Sequence, residues 1–164
     1  MHYNDTFAPV VRMETIRILL ALAVQENWEI QQMDVKGAYL NGTLKEKIYM
    51  NQPEGYDDGI GNLCYLIKSL YGLKQAKREW NHELNKQLEK QGWKAFIVDP
   101  CMYYRRAADG IEILTIWVDD LLCFASHEAL MQWLKRDLHD IFDITDLGAP
   151  TKIVGLKIDH NKEN

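Results

Sequence analysis

The sequence lacks the features that mark membrane and secreted proteins. No apolar run approaches the roughly 18 consecutive residues of a membrane-spanning helix. The first residues, Met1 to Asp5, do not have the charged and then apolar pattern of a signal peptide. The sequence therefore predicts no membrane association and a cytoplasmic location.

Cysteine is scarce, and histidine has no metal-binding spacing. Cys64, Cys101 and Cys123 are far apart and odd in number, and each lies in an apolar run, so buried free thiols are expected rather than disulfides. The five histidines form no paired zinc motif. A zinc site is not predicted.

An excess of basic charge is also absent. With 19 Lys and Arg against 24 Asp and Glu, the net charge is −5, whereas a protein that holds nucleic acid usually presents a basic face. Two observations weaken this argument against nucleic-acid binding. Lys68, Lys74, Lys77 and Arg78 are grouped, and a magnesium site itself requires acidic residues that are not neutralised.

The 164 residues, 47% of them hydrophobic, are enough for one domain with a real core. Strands and helices follow one another without the strict alternation of a parallel fold, and Asp109-Gly110 marks an antiparallel hairpin. We therefore expect an α+β domain, an antiparallel sheet with helices packed on one face. Predicted helices cover 11–27, 74–91 and 127–142, the last capped by Ser126, and predicted strands cover 28–34, 47–51, 63–67, 101–106, 111–118, 121–125 and 152–158.

Adjacent carboxylates, Asp119 and Asp120, interrupt two apolar strands, and Asp34 ends an earlier strand. Hard divalent cations prefer oxygen ligands of this kind. In an antiparallel sheet Asp34 and Asp119 could lie side by side, as a two-metal site requires. A plain polar turn remains an alternative for Asp119-Asp120. The Asp57-Asp58 pair lies among Gly, Pro and Asn and is interpreted as an exposed turn.

Four blocks of sequence, in order, resemble the reverse transcriptase of copia-type LTR retrotransposons. The blocks run from Asp34 to Gly42 (DVKGAYLNG), Ile48 to Tyr56 (IYMNQPEGY), Lys68 to Ala76 (KSLYGLKQA) and Trp117 to Asp120 (WVDD). The stretch from Leu70 to Gln75 is the most specific of them, and the resemblance covers nearly the whole chain. It implies a reverse-transcriptase palm with remnants of the fingers over residues 1–164, and RNA-directed DNA polymerase activity.

The resemblance also implies roles for individual residues. Asp34 and Asp119 would be catalytic metal ligands, with the backbone carbonyl of Val35 as a further ligand and Asp120 as a less demanding catalytic neighbour. The metal would be Mg²⁺, or Mn²⁺ in its place. It would serve two-metal nucleotidyl transfer that extends a primer.

The same resemblance implies a substrate site. Tyr39 would lie under the sugar of the incoming nucleotide and disfavour a 2′-hydroxyl, while Gly72, Lys74 and Gln75 would lie against nucleotide and template. The implied partners are an RNA or DNA template with primer, deoxynucleoside triphosphates and other parts of a polyprotein. A virus-like particle or the nucleus are then alternative locations.

Two residues depart from the family pattern: Trp117 stands where tyrosine is usual, and Lys77 where proline is usual. The chain is also expected to begin at the end of the fingers and to lack a thumb and an RNase H. The alternative function is therefore an inactive or domesticated fragment that keeps the fold as a binding module. Another two-metal palm enzyme, such as a nucleotide cyclase, is supported only by the carboxylates.

Overall fold

A computed structural model describes residues 10–158 of the chain, which form three α-helices, one 3₁₀ helix and ten strands. The helices are α1 Met13–Gln25, α2 Ala76–Lys90, α3 Glu128–Ile141 and the 3₁₀ helix Ala38–Asn41. The strands are β1 Glu29–Val35, β2 Thr43–Asn51, β3 Leu63–Lys68, β4 Lys94–Ala95, β5 Met102–Ala107, β6 Gly110–Trp117, β7 Asp120–Ala125, β8 Ile144–Gly148, β9 Lys152–Ile153 and β10 Leu156–Lys157.

The described chain divides into two units. The smaller unit is Gly37–Leu84, and the larger comprises 10–36 and 85–158. The expectation of one domain over residues 1–164 stays a prediction. No helix among the described residues is long and apolar enough to span a membrane.

The larger unit is built on a six-stranded sheet in the order β4-β5-β6-β7-β1-β8. Every pairing in it is antiparallel, which confirms the predicted α+β class. In strand β7 the five residues from Leu121 to Ala125 are all fully buried. An apolar strand buried on both faces reads as a continuous hydrophobic run, as this one does in the sequence.

Helices cover both faces of this sheet, which corrects the expectation of one covered face. Buried residues of α1 pack against Ile30, Leu122 and Phe124. On β1 and β7 the alternate residues, among them Gln31, point the other way. Lys135 of α3 donates to Gln31 Oε1 at 3.2 Å, so α3 lies on the opposite face. After its first residue, strand β7 is a continuous apolar run for this reason.

Asp99, a residue distant in sequence, holds the start of α1. The N-cap residue Arg12 makes no side-chain capping bond of its own. Instead the buried Asp99 carboxylate accepts hydrogen bonds from the Arg12 backbone N–H at 2.9 Å and the Thr15 hydroxyl at 2.6 Å. Its other oxygen accepts from the Cys101 N–H at 3.2 Å. A buried carboxylate thus satisfies donors that the helix end leaves open.

The smaller unit consists of the 3₁₀ helix, the antiparallel β2–β3 pair and the first part of α2. The predicted apolar stripe of α2 is confirmed. Ala76, Trp80 and Leu84 are nearly inaccessible to solvent, as is Leu88 in the part of the helix that belongs to the larger unit. The three cysteines are free; Cys101 and Cys123 are buried, whereas Cys64 is partly exposed.

Some predicted elements differ from the structure. Ser126 does not cap α3: its hydroxyl is engaged with the Ile111 backbone, and His127 Nδ1 accepts the Leu130 N–H at 3.4 Å instead. Strand β8 was not predicted. The expected strand over 152–158 is a small hairpin, β9–β10, that turns at 154–155, where both residues have positive φ.

Candidate active site

Strand pairing brings the sequence-predicted carboxylates together at one end of the larger sheet. Asp34 on β1 lies directly opposite Asp120 on β7. The next residue, Val35, donates its N–H to the backbone carbonyl of Asp119 at 2.9 Å. Residues paired in this way project from the same face of the sheet. Asp34 and Asp120 therefore project from the same face, and Asp119 lies in the adjoining turn, with its backbone bonded to Val35.

The three carboxylates repel one another electrostatically. Partial burial, and then the charges of Asp119 and Asp120, raise the pKa of the Asp34 carboxyl above its ordinary value. A neutral donor, Gln32 Nε2, contacts Asp120 Oδ1 at 3.3 Å. Within residues 10–158 no Lys, Arg or His forms an ion pair with these three groups. The site concentrates negative charge that a cation would relieve.

The donor set is suited to a magnesium ion that shares its ligands with substrate. Among the described residues, no three His, Cys, Asp or Glu side chains are grouped so that they could enclose a metal ion by themselves. Mg²⁺ in phosphate-transfer sites is usually held by one or two carboxylates, and water and substrate phosphates supply the rest. Asp34, Asp119 and Asp120 offer carboxylate oxygens of this kind.

The turn that carries Asp119 has a strained backbone. Val118 and Asp119 form a two-residue turn between β6 and β7, closed by the pair Trp117 and Asp120. Val118 has φ of 62°, and Asp119 is not among the residues with positive φ. Positive φ at the first turn position alone is typical of a type II′ turn, where glycine is normal and a β-branched residue is an outlier. Such strain is often retained at functional sites.

Trp117, the departure from the family pattern, is accommodated by the core. It is half-buried and packs against the cluster that includes Ile30, Leu122 and Phe124. Its position opposite Asp120 in the β6–β7 register puts it on the carboxylate-bearing face. The larger ring is therefore anchored in apolar contacts beside the site.

The predicted substrate residues belong to the smaller unit, whereas the carboxylates belong to the larger. Tyr39 lies in the 3₁₀ helix and is buried. Gly72, with φ of 96°, is the third residue of a turn in which the Leu73 N–H donates to the Leu70 carbonyl; that φ at this position calls for glycine. Lys74 and Gln75 come next, directly before α2.

Sequence reasoning missed two residues of the carboxylate site. Gln32 precedes Asp34 by two positions on the same strand, so the period-two rule could have placed it on the same face. The sequence offered no signal for Val118. Valine is typical of strands, and nothing in its neighbours indicates that its φ is positive. Outside this site, Arg105 forms ion pairs with the buried Glu112 and the partly exposed Asp137 in the larger unit.

Comparison with known proteins gives a consistent result. The family described as reverse transcriptase (RNA-dependent DNA polymerase) matches residues 1–164. The Retrovirus-related Pol polyprotein from transposon TNT 1-94 of Nicotiana tabacum is 42% identical over 159 residues, which is 95% of this chain and 12% of that protein. The Retrovirus-related Pol polyprotein from transposon RE1 of Arabidopsis thaliana is 36% identical over 148 residues, 89% of this chain and 10% of that protein.

A putative transposon Ty5-1 protein of Saccharomyces cerevisiae is 35% identical over 134 residues, which is 80% of this chain and 43% of that protein. The chain thus spans about a tenth of the two plant polyproteins and less than half of the yeast protein. No solved structure matches the chain significantly.

Proposed function

This chain belongs to the reverse transcriptase family of copia-type Pol polyproteins, and from that premise we propose that it is the palm of an RNA-directed DNA polymerase, with remnants of the fingers. Its reaction is nucleotidyl transfer that extends a primer. Its partners are a template with primer, deoxynucleoside triphosphates and the remaining parts of a polyprotein.

One observation carries the proposal: the convergence of Asp34, Asp119 and Asp120 at one end of the sheet. A turn with no function would gain nothing from placing Asp34 opposite Asp120, because this placement raises the pKa of Asp34 at a cost in stability. The cost is understandable if a cation relieves it. Convergent carboxylates with a perturbed pKa are a common mark of a functional site.

The residues suggest a division of labour. Asp34 and Asp119, with the Val35 carbonyl, would hold Mg²⁺ or Mn²⁺, which when bound activates the primer hydroxyl and neutralises the leaving pyrophosphate. Asp120, contacted by Gln32, adds negative charge beside the metal ligands. The strained turn at Val118 fixes the backbone of Asp119, so that this carboxylate is positioned before substrate arrives.

The substrate residues have complementary tasks. Gly72 has no side chain, and added atoms at its Cβ position would meet nothing within 4 Å, so the chain there is open to a ligand. Lys74 is exposed and can meet phosphate, and Gln75 follows it immediately before α2. Tyr39 would crowd a 2′-hydroxyl and so favour deoxynucleotides.

A second proposal is that the chain is an inactive fragment that keeps the fold as a binding module. The two departures, Trp117 and Lys77, favour it. Lys77 occupies the second position of α2, where the family's proline would be compatible with the first helical turn. The packing of Trp117 in the core removes part of this objection, and the intact carboxylates favour the enzyme.

Primer extension on an RNA template separates these proposals. We expect the wild-type chain to add deoxynucleotides in the presence of Mg²⁺ or Mn²⁺. Asp34→Asn and Asp119→Asn should each lose more than about 100-fold in rate, because the loss of a mere outer partner of a metal already costs about 10–100-fold. Asp57→Asn is the matched control: it makes the same exchange in the exposed Asp57-Asp58 pair and should retain full activity.

Equal activity of wild type and Asp119→Asn would contradict the carboxylate assignment. Absence of any incorporation by the wild-type chain, with a correctly folded protein, would favour the binding module.

A further inference from the structure

The 3₁₀ helix that bears Tyr39 is held by hydrogen bonds to its backbone. The Tyr39 carbonyl accepts the Gly42 N–H at 3.1 Å and also the hydroxyl of Ser69. Ser69 is completely buried. Its own N–H donates to the Gly42 carbonyl at 2.9 Å. Ser69 and Gly42 thus lock the carbonyl of Tyr39 from two directions.

Close packing at Gly42 makes this arrangement rigid. A Cβ atom on Gly42 would stand 2.8 Å from Ser69 Oγ, 2.9 Å from Trp80 N and 3.0 Å from the Glu79 carbonyl carbon. Two of these neighbours are backbone atoms of α2, which cannot turn aside as a side chain can. The end of the 3₁₀ helix is therefore clamped between α2 and the end of β3.

The ring of Tyr39 is covered by another tyrosine. The ring centroids of Tyr39 and Tyr71 are 4.5 Å apart, with their planes tilted by 56°. Tyr39 is 8% exposed and Tyr71 55% exposed, so Tyr71 forms the outer wall of the pair. Tilted aromatic pairs at this distance attract each other beyond simple burial.

The turn after Ser69 fixes where the Tyr71 ring lies. Tyr71 is the second residue of the turn from Leu70 to Leu73, and the glycine that follows permits the positive φ of that turn. The Leu73 carbonyl in turn accepts the N–H of Ala76, the first residue of α2. Ser69 and Tyr71 therefore reach Tyr39 from one short segment, one through its backbone and the other through its ring.

We propose that Ser69 and Tyr71 are positioning residues that set how strictly Tyr39 discriminates against a 2′-hydroxyl. This inference rests on the proposed function, since it assumes that Tyr39 faces the sugar of the incoming nucleotide. Without the Tyr71 ring, Tyr39 gains room to turn away. Without the Ser69 hydroxyl, the carbonyl of Tyr39 loses a buried partner and the backbone of the 3₁₀ helix can shift.

The test compares binding of dATP and ATP, which differ only in the 2′-hydroxyl, to the whole chain with Mg²⁺ by isothermal titration calorimetry. The readout is the ratio of the two Kd values, which does not require catalysis. The wild-type chain should prefer dATP. Tyr71→Ala and Ser69→Ala should each reduce that preference by roughly tenfold, because small misplacements of a contact group have effects of this order or larger.

Two controls separate positioning from a general loss of structure. Tyr71→Phe keeps the ring and should keep the preference. Tyr49→Ala removes a tyrosine of similar exposure, 57%, from another ring pair of the same unit, that with Tyr65 at 5.4 Å, and should also keep it. Because Tyr71 is half exposed, its alanine variant decides the matter even if Ser69→Ala fails to fold, as circular dichroism would show.

An unchanged ratio in Tyr71→Ala, or an equal loss in Tyr49→Ala, overturns the inference and leaves the proposed function intact. A wild-type chain that binds neither nucleotide, or binds both equally, overturns the sugar-facing role of Tyr39 in the proposed function, and the inference falls with it.

Discussion

The turn between β6 and β7 predicts that Val118→Gly makes the protein more stable. A side chain held at φ of 62° in a sparsely populated region costs about 1–3 kcal/mol. Glycine removes that cost, but it lowers stability by about 0.5–1 kcal/mol because it gives the unfolded chain more conformational freedom. The loss of a half-buried valine side chain offsets a further part. The free energy of unfolding should therefore rise by about 1 kcal/mol.

Urea denaturation in EDTA measures this change. With a slope of about 1–3 kcal/mol per molar urea, a gain of about 1 kcal/mol moves the midpoint up by roughly 0.3–1 M. Val98→Gly is the matched control. Val98 is exposed, at 63%, and its φ is not positive, so the same exchange there should lower stability by about 0.5–1 kcal/mol.

Opposite signs for the two variants are the result that the strain argument requires. A Val118→Gly protein that is less stable than wild type, or that changes by the same amount as Val98→Gly, would refute it. The gain should come with weaker primer extension, since relief of strain at a functional site commonly costs activity.

Three further changes test other parts of the structure. Asp34→Asn should stabilise the metal-free protein at pH 7. Burial and the charges of Asp119 and Asp120 raise the pKa of Asp34 in the folded state, so the contribution of its protonated form to stability is lost as the pH rises through that pKa. The neutral asparagine avoids this loss. The gain, measured by urea denaturation, should shrink on acidification; one that grows would be inconsistent with the assignment. Asp99→Ala should cost about 3 kcal/mol, or roughly 6–12 °C in Tm by calorimetry, because one buried and two partly buried donors lose their acceptor. A loss under about 1 kcal/mol would show that water replaces the carboxylate. Gly42→Ala should lower the free energy of unfolding by about 1–3 kcal/mol, measured by calorimetry, because the added Cβ overpacks against α2. A neutral result would mean that the backbone of α2 shifts to make room at little cost.

The sequence was sufficient where a local pattern controls the structure. The apolar run from Leu121 to Ala125 and the stripe through Trp80 predicted β7 and α2, because burial there follows directly from side-chain type and period. The sequence predicted Asp34 beside Asp119; the structure pairs Asp34 with Asp120 and joins the Val35 N–H to the Asp119 carbonyl, so the two elements meet one residue from the expected register. For β7 and α2 the residues near in sequence decide the outcome.

The sequence was insufficient where distant residues decide. Ser126 has good capping chemistry, but the Ile111 backbone competes for its hydroxyl, and His127 caps α3 instead. Strand β8 has five residues and only an intermittent apolar pattern, so it depends on the edge that β1 offers. The capping of α1 by Asp99 spans 87 positions, and no local pattern signals it.

The placement of helices on both faces was missed for a similar reason. Alternation along a strand shows which residues share a face, but not which helix covers it. In β7 both sets of alternate residues from Leu121 to Ala125 are apolar, so that strand does not show which face a given helix covers. The contact of Lys135 with Gln31 decides the position of α3 only once the chain is folded.

The central claim is that Asp34 and Asp119 hold a divalent cation, and the most direct measurement is the stability of the chain as Mg²⁺ or Mn²⁺ is added. A bound cation should stabilise the wild-type protein by about 2.7 kcal/mol at a concentration one hundred times its Kd. Asp119→Asn should lose this response, and Asp57→Asn should retain it. If wild type and Asp119→Asn respond identically to the cation, the carboxylates are not a metal site.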